Sequence, residues 1–312
     1  MPLWELALTP APDKDYLYHV AVASAACVFF LTLHVCIHVV CMLFNNHYKN
    51  LFSEKRAEYR SYIVSMVNSF ISTSVAWVAI FCLCADEWSV FNSPECFNTP
   101  LYYHIWAVGY INAYFMLDFV LVFFVMQGRS LFDLQVYAHH ALFISSFYLT
   151  LYFMNYLVVI GVTIMLTEVS SAWLSLRWLM FTHKKDKSLF AFVNLMIVFF
   201  TFLFGRVVFQ AIVLLAMGLP LWINQWQHED LSSGQKVMLS WFFLAMVLSI
   251  IMNWFWMYLV YKQAKRAINK RFGVPAQTDT DDNFGKPNLT INADNCVETS
   301  DSCVQPKQGL LQ

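Results

Sequence analysis

Charge is what this sequence has least of. Lys, Arg, Asp and Glu make up 12% of its 312 residues, against 59% hydrophobic and 18% aromatic. Soluble domains carry roughly a quarter charged residues, so the shortage excludes an ordinary soluble protein and points to the bilayer. The net charge of -1 excludes a basic nucleic-acid binder. Cysteine is thin in signal: the eight Cys contain no CxxC pair and no zinc spacing. Cys27, Cys36, Cys41 and Cys82 lie in apolar runs, where cysteine is expected to behave as a small buried hydrophobe. Cys84 and Cys96 flank one acidic loop and would form a disulfide if that loop is luminal. All nine prolines fall outside the cores of the apolar runs, so the broken helices of transporters have no signature. A cleavable signal peptide is not evident, because the first sixteen residues are polar and the next run is too long for an h-region.

What remains is long apolar sequence. A hydrocarbon core of about 30 Å takes about 20 residues of helix, and seven runs suit it: roughly 17–44, 62–84, 102–126, 136–153, 156–181, 188–217 and 237–261. Met154 and Asn155 read as a tight hairpin between the fourth and fifth. The expected fold is all-α, a polytopic membrane helix bundle of about seven transmembrane helices. Lys and Arg orient it. Lys49, Lys55, Arg56, Arg60, Arg129, Arg177, Lys184, Lys185, Lys187, Lys262, Lys265, Arg266, Lys270 and Arg271 collect on one side, against Lys14 and Lys236 on the other. The amino terminus is therefore expected in the lumen or exterior and the carboxyl terminus in the cytosol. The expected divisions are a luminal segment 1–16, a first helix and its turn over 17–49, a main domain over 50–265, and a cytosolic tail over 273–312 that lacks hydrophobic periodicity and is expected to be disordered. Asn288-Leu289-Thr290 fits the glycosylation sequon, but a cytosolic tail does not meet the glycosylation machinery.

Against this apolar background the buried polar residues are site candidates by default. At a rise of about 1.5 Å per residue, His139 and His140 come about 5 Å in from the cytosolic end, and Asn68 and His38 about 9 Å. On the same rise Asp118 and Asn253 lie about 12 Å deep, His34 about 15 Å and Glu168 about 19 Å. One shared pocket opening to the cytosol is the expectation. For Asn68, Asn253, His34 and His38 singly, an interhelical hydrogen-bond pin is the simpler reading. Asp118 and Glu168 are harder to set aside, since an unpaired carboxylate at that depth must be protonated or paired. Arg206 either pairs with Glu168 or meets headgroups; both readings stay open. Adjacent helical residues point about 100° apart, so His139 and His140 divide their tasks, one facing a substrate and one held by a carboxylate, with Asp118 the candidate. Imidazole suits acyl transfer as base or nucleophile. A di-iron lipid oxidase lacks ligands, because there is one HxxxH (His34 to His38) and no HxxHH. A rhodopsin-like receptor lacks its acidic-Arg-aromatic triplet after the third run, which reads Val125-Met126-Gln127-Gly128-Arg129.

In order along the chain stand Glu58-Tyr59-Arg60, Tyr114-Phe115 with Asp118, His139-His140 with Gly161, and Leu166-Thr167-Glu168-Val169-Ser170. Arg177-Trp178, Phe204-Gly205-Arg206 and Asn253-Trp254 follow. This series resembles the TLC domain family over roughly residues 50–265. The resemblance implies a lipid-related role and includes the ceramide synthases, which move an acyl chain from acyl-CoA to a sphingoid amine. There the double histidine is paired with two aspartates. By that resemblance Glu168 takes the first acidic position, while Ser171 stands near the second, and the homeobox-like insert of many ceramide synthases is absent. The preferred expectation is a protein of membrane lipid and sphingolipid homeostasis that binds a lipid or acyl chain in the pocket, in the endoplasmic reticulum, with the plasma membrane as alternative. The second is an acyl-CoA-dependent N-acyltransferase, with His139, His140, Asp118 and Glu168 catalytic. A third is a cargo or translocon-associated receptor. Neither cofactor nor metal is expected, acyl-CoA entering only as a substrate of the second reading.

Overall fold

A computed structural model of the chain describes residues 8–10, 16–83, 100–126, 131–153, 157–227 and 231–272. Met154, Asn155, Cys84, Cys96, Arg129, Lys14 and the tail with Asn288 therefore lie outside the described residues. The chain divides into two units, Met1–Ile268 and Asn269–Gln312.

The described residues are helical, with one isolated antiparallel bridge between Pro10 and Leu101. Helix α1 spans Tyr16–Phe44 and a single turn, α2, spans Asn46–Lys49. The Asn45 side chain caps α2 by accepting from the Tyr48 amide at 3.0 Å. Next come α3 (Ser53–Phe81), α4 (Tyr102–Val120, continued as a π-helical segment Leu121–Met126) and α5 (Leu131–Phe153). Helix α6 (Leu157–Ile164) passes through a 3₁₀ turn, Met165–Glu168, into α7 (Val169–Thr182). Helix α8 (Leu189–Thr201) leads through π segments Phe202–Phe209 and Leu214–Gly218, with α9 (Gln210–Val213) between them, into α10 (Leu219–Gln227). The last helix, α11, covers Ser233–Arg271.

Six helices among the described residues are long and apolar enough to cross a membrane: Leu17–Phe44, Ser53–Phe81, Tyr102–Val125, Leu157–Thr182, Leu189–Gln227 and Ser233–Arg271. The expected fourth span differs from these. It exists as the 23-residue helix α5, which at about 1.5 Å per residue is long enough to cross. Its two histidines, two serines and three tyrosines dilute its apolar character, so it does not join the six. Several helices also outrun their apolar segments. Helix α3 begins at Ser53 rather than 62, and α11 reaches Arg271 rather than 261. Hydropathy reports where lipid ends, whereas a helix satisfies its own backbone and continues until a cap or loop stops it.

Helix α3 is central, packing against α1, α4, α6 and α7. Helix α1 is peripheral and presents Val28, Leu31, Val35 and Val39 outward. No hydrophobic effect pulls helices together in lipid, so close approach must come from small residues and polar contacts. Gly109 lets α1 and α4 meet: a Cβ there would stand 3.0 Å from Val22 Cγ1. Gly161 does the same for α6 and α5, where a Cβ would fall 2.8 Å from Phe147 Cε1.

Candidate functional site

Helix α5 carries His139 and His140, both buried at 6% and 7% exposure. His140 Nδ1 stands 3.7 Å from Asp118 Oδ2 on α4, longer than a direct hydrogen bond. The other Asp118 oxygen accepts from Ser61 Oγ of α3 at 2.7 Å. Three helices thus meet at this carboxylate. His139 faces a different wall, as the angular offset of neighbours requires: its ring lies edge-on to Phe143 at 4.7 Å and to Trp256 of α11 at 5.2 Å. Phe115 lies against His140 at 5.3 Å. Nδ1 of both imidazoles is buried with no hydrogen-bond partner among the described residues. Two imidazoles with open acceptor or donor positions, inside an aromatic cage and beside one carboxylate, can hold a proton or a polar headgroup atom out of water.

The second constellation is closed. Glu168 Oε1 accepts from Arg206 Nη2 at 3.0 Å, and Glu168 Oε2 accepts from Ser171 Oγ at 2.8 Å. Arg206 also donates through Nη2 to Ser171 Oγ at 2.6 Å and through Nε to Ser170 Oγ at 2.8 Å. A buried pair is tolerable in low dielectric only when its remaining donors and lone pairs are met in this way. The open question about Arg206 is answered: it pairs with Glu168. Serine 171, at the position where the family resemblance leads one to look for an acid, is a bridge between carboxylate and guanidinium. Arg206 sits in the π segment Phe202–Phe209, whose wider turn re-aims side chains relative to an α-helix. Both histidines lie within electrostatic range of Arg206, and His140 within range of Glu168.

The remaining candidates disperse. Asn253 donates to Gln210 Oε1 at 2.6 Å, and Gln210 donates to Ser249 Oγ at 2.9 Å, a polar pin between α9 and α11. A small cavity of about 20 Å³ lies beside Gln210, Ser146 and Phe143, enough for about one water. Asn68, fully buried, accepts from Ser72 Oγ within its own helix at 3.2 Å. His34 lies within electrostatic range of Asp118 and Arg60. His38 belongs elsewhere: its Nδ1 meets Tyr48 Oη at 2.8 Å near the loop ends of α1 and α3. One pocket shared by all these groups, as the depth reckoning suggested, is therefore too simple. Equal depth does not mean equal facing.

Several residues escaped the sequence reading. Ser61 supports Asp118 and Ser69 holds the Glu168 carbonyl; Phe143 and Trp256 wall His139. Ser170 and Phe115 stood in the motif series, but without the contacts they make here with Arg206 and His140. The one available signal was the spacing Ser61, Ser65, Ser69, Ser72, which lines one face of α3. Among the described residues no group of three or more His, Cys, Asp or Glu side chains is placed to hold a metal ion.

Comparison with known proteins bears on the same segment. The TLC domain profile matches residues 58–262. The chain is similar to TLC domain-containing protein 4 A of Dictyostelium discoideum, 23% identical over 222 residues, which is 70% of this chain and 79% of that protein. No solved structure matches. A helical membrane chain whose matched segment runs from Glu58 to Lys262, and so includes the double histidine, Asp118, Glu168 and Arg206, belongs to the TLC domain family.

Proposed function

We propose that this protein acts in membrane lipid homeostasis by binding a lipid or acyl chain at His139, His140 and Asp118. The observation that carries the reading is the pair of buried imidazoles whose Nδ1 atoms lack partners among the described residues, beside a carboxylate and within an aromatic wall. Buried polar atoms are paired in most folded proteins, so open ones in a lipid-facing bundle suit a ligand with an apolar body and a polar end. In this reading α5 completes seven spans, the amino terminus is luminal, the carboxyl terminus is cytosolic, and the membrane is that of the endoplasmic reticulum. Lipid that co-purifies with wild type is expected to be lost from His139→Ala and His140→Ala, as measured by native mass spectrometry. Unchanged lipid in the variants, with an unchanged lipidome on deletion, refutes it.

A second reading, N-acyl transfer, is favoured by the His140–Asp118 approach of 3.7 Å. An amine would attack the thioester carbonyl of acyl-CoA, forming C–N and breaking C–S. His140, oriented by Asp118, would take the amine proton and return it to the departing thiolate. Glu168 is engaged by Arg206 and would act by holding the bundle. Purified protein incubated with acyl-CoA and a long-chain base should form amide that falls at least a hundredfold in His140→Ala, the usual scale of one acid–base group. Equal amide from both proteins removes this reading and leaves the first standing.

A further inference from the structure

At the loop ends of α1, α3 and α7 lies a second polar cluster that the histidine site does not use. Arg60 Nη1 donates to Tyr48 Oη at 2.8 Å and to His38 Nδ1 at 3.2 Å, both neutral acceptors. Arg56, one helical turn earlier, is half-buried and among the described residues reaches only the Met42 sulfur, at 3.7 Å. Neither guanidinium has a carboxylate within ion-pair distance among the described residues. Like charges four apart on a helix repel, and partial burial raises the cost of leaving them uncompensated. His47 packs its ring 4.8 Å from His183, and its Nε2 is buried with no partner among the described residues. Over residues 38–60 and 177–187 the chain places eight Lys and Arg against three carboxylates. Apolar side chains frame the patch: Phe44, the last residue of α1, and Phe52, which precedes the first turn of α3, are 81% and 76% exposed. Cations beside exposed aromatics at the ends of spans mark headgroup depth.

We infer that Arg56 and Arg60 form a binding site for the phosphate of an acidic phospholipid headgroup, separate from the His139–His140 site and independent of its reading. The Tyr48–His38 pair holds Arg60 in place, which leaves the rest of its planar fork for phosphate oxygens. The acyl chains would run along the lipid-facing surface of α1.

The full-length chain in neutral detergent is titrated with phosphatidylglycerol, and bound lipid is read by native mass spectrometry. Phosphatidylcholine and inorganic phosphate form parallel arms. At about 1 kcal/mol per interfacial cation, Arg56→Gln with Arg60→Gln should weaken phosphatidylglycerol roughly thirtyfold. Arg56→Gln alone, which gives up only the Met42 contact, keeps the fold testable and should weaken it roughly fivefold. Lys236→Gln with Lys265→Gln removes the same charge elsewhere and should change nothing. Equal losses in the arginine and lysine pairs overturn the site. Binding of phosphatidylcholine as tight as phosphatidylglycerol, or displacement by equimolar inorganic phosphate, overturns the acidic headgroup as its ligand.

Discussion

A guanidinium in hydrocarbon without a counter-ion would be severely destabilising, and Arg206 is spared that by Glu168, Ser170 and Ser171 together. Removing one partner strands the other. Arg206→Met is expected to lose about 3–5 kcal/mol, whereas Arg206→Met with Glu168→Gln should recover part of it. Thermal unfolding of the two singles and the double measures this, and purely additive losses would count against the pair. The acid and the base were legible as residues because charge is rare in this chain. Their mutual contact was not, since residues 38 positions apart share no local pattern. Outside the membrane-spanning segments, burial pushes the His183 imidazole below its ordinary value of 6.5, and His47 and Lys185 push the same way. The folded state then favours the neutral ring, and the unfolded chain binds more protons between the lowered value and 6.5. Its stabilising effect is full above 6.5 and is lost as pH falls through the lowered value. Thermal midpoints of wild type minus His183→Asn should therefore rise with pH across that window; a flat difference denies His183 the role.

Elements bend where side chains enter their backbones. Ser69 of α3 accepts from the Ala172 amide at 3.0 Å and donates to the Glu168 carbonyl. Those two groups are the ones that would otherwise bond each other across one α-helical turn. A hydroxyl inserted in the ladder is a recognised cause of a helix break, and the 3₁₀ turn Met165–Glu168 ends at this point. Ser69→Ala lets the ladder close, so it should cost under about 1 kcal/mol because neither backbone group is orphaned. Gly161→Ala has no such escape, because Phe147 is buried against the new Cβ; overpacking of this sort costs about 1–3 kcal/mol. The ranking is the test: a larger drop in thermal midpoint for Ser69→Ala than for Gly161→Ala would contradict the inserted-hydroxyl account. Neither the 3₁₀ turn nor the π segments of 202–218 could be read beforehand. Uniformly apolar sequence carries no phase, so a change of helical pitch leaves no mark in it.

At the scale of the whole molecule, the loops hold the prediction. In the proposed seven-span topology Lys55 and Lys236 stand on opposite faces of the membrane, as the Lys and Arg asymmetry favours. In a background without the eight native cysteines, Lys55→Cys should react with an impermeant maleimide once the plasma membrane alone is opened. Lys236→Cys should need the internal membrane opened too. The reverse order would invert the bundle, and reaction of both together would break the seven-span count by putting α5 within one leaflet.

Sequence by itself determined that the chain lives in lipid, that helices build it, and which residues are expensive enough there to need explanation. It also carried the series of motifs that marks the TLC domain. Those properties are local or compositional, because bilayer thickness and backbone satisfaction act on each segment alone. Only the tertiary structure decided which polar groups meet: Asp118 with Ser61 and His140, Glu168 with Arg206 and two serines, His38 with Tyr48 and Arg60. Facing and pitch depend on how helices rotate against one another, and in a bundle whose lipid and core surfaces are equally apolar, hydrophobicity exerts no torque to announce that rotation.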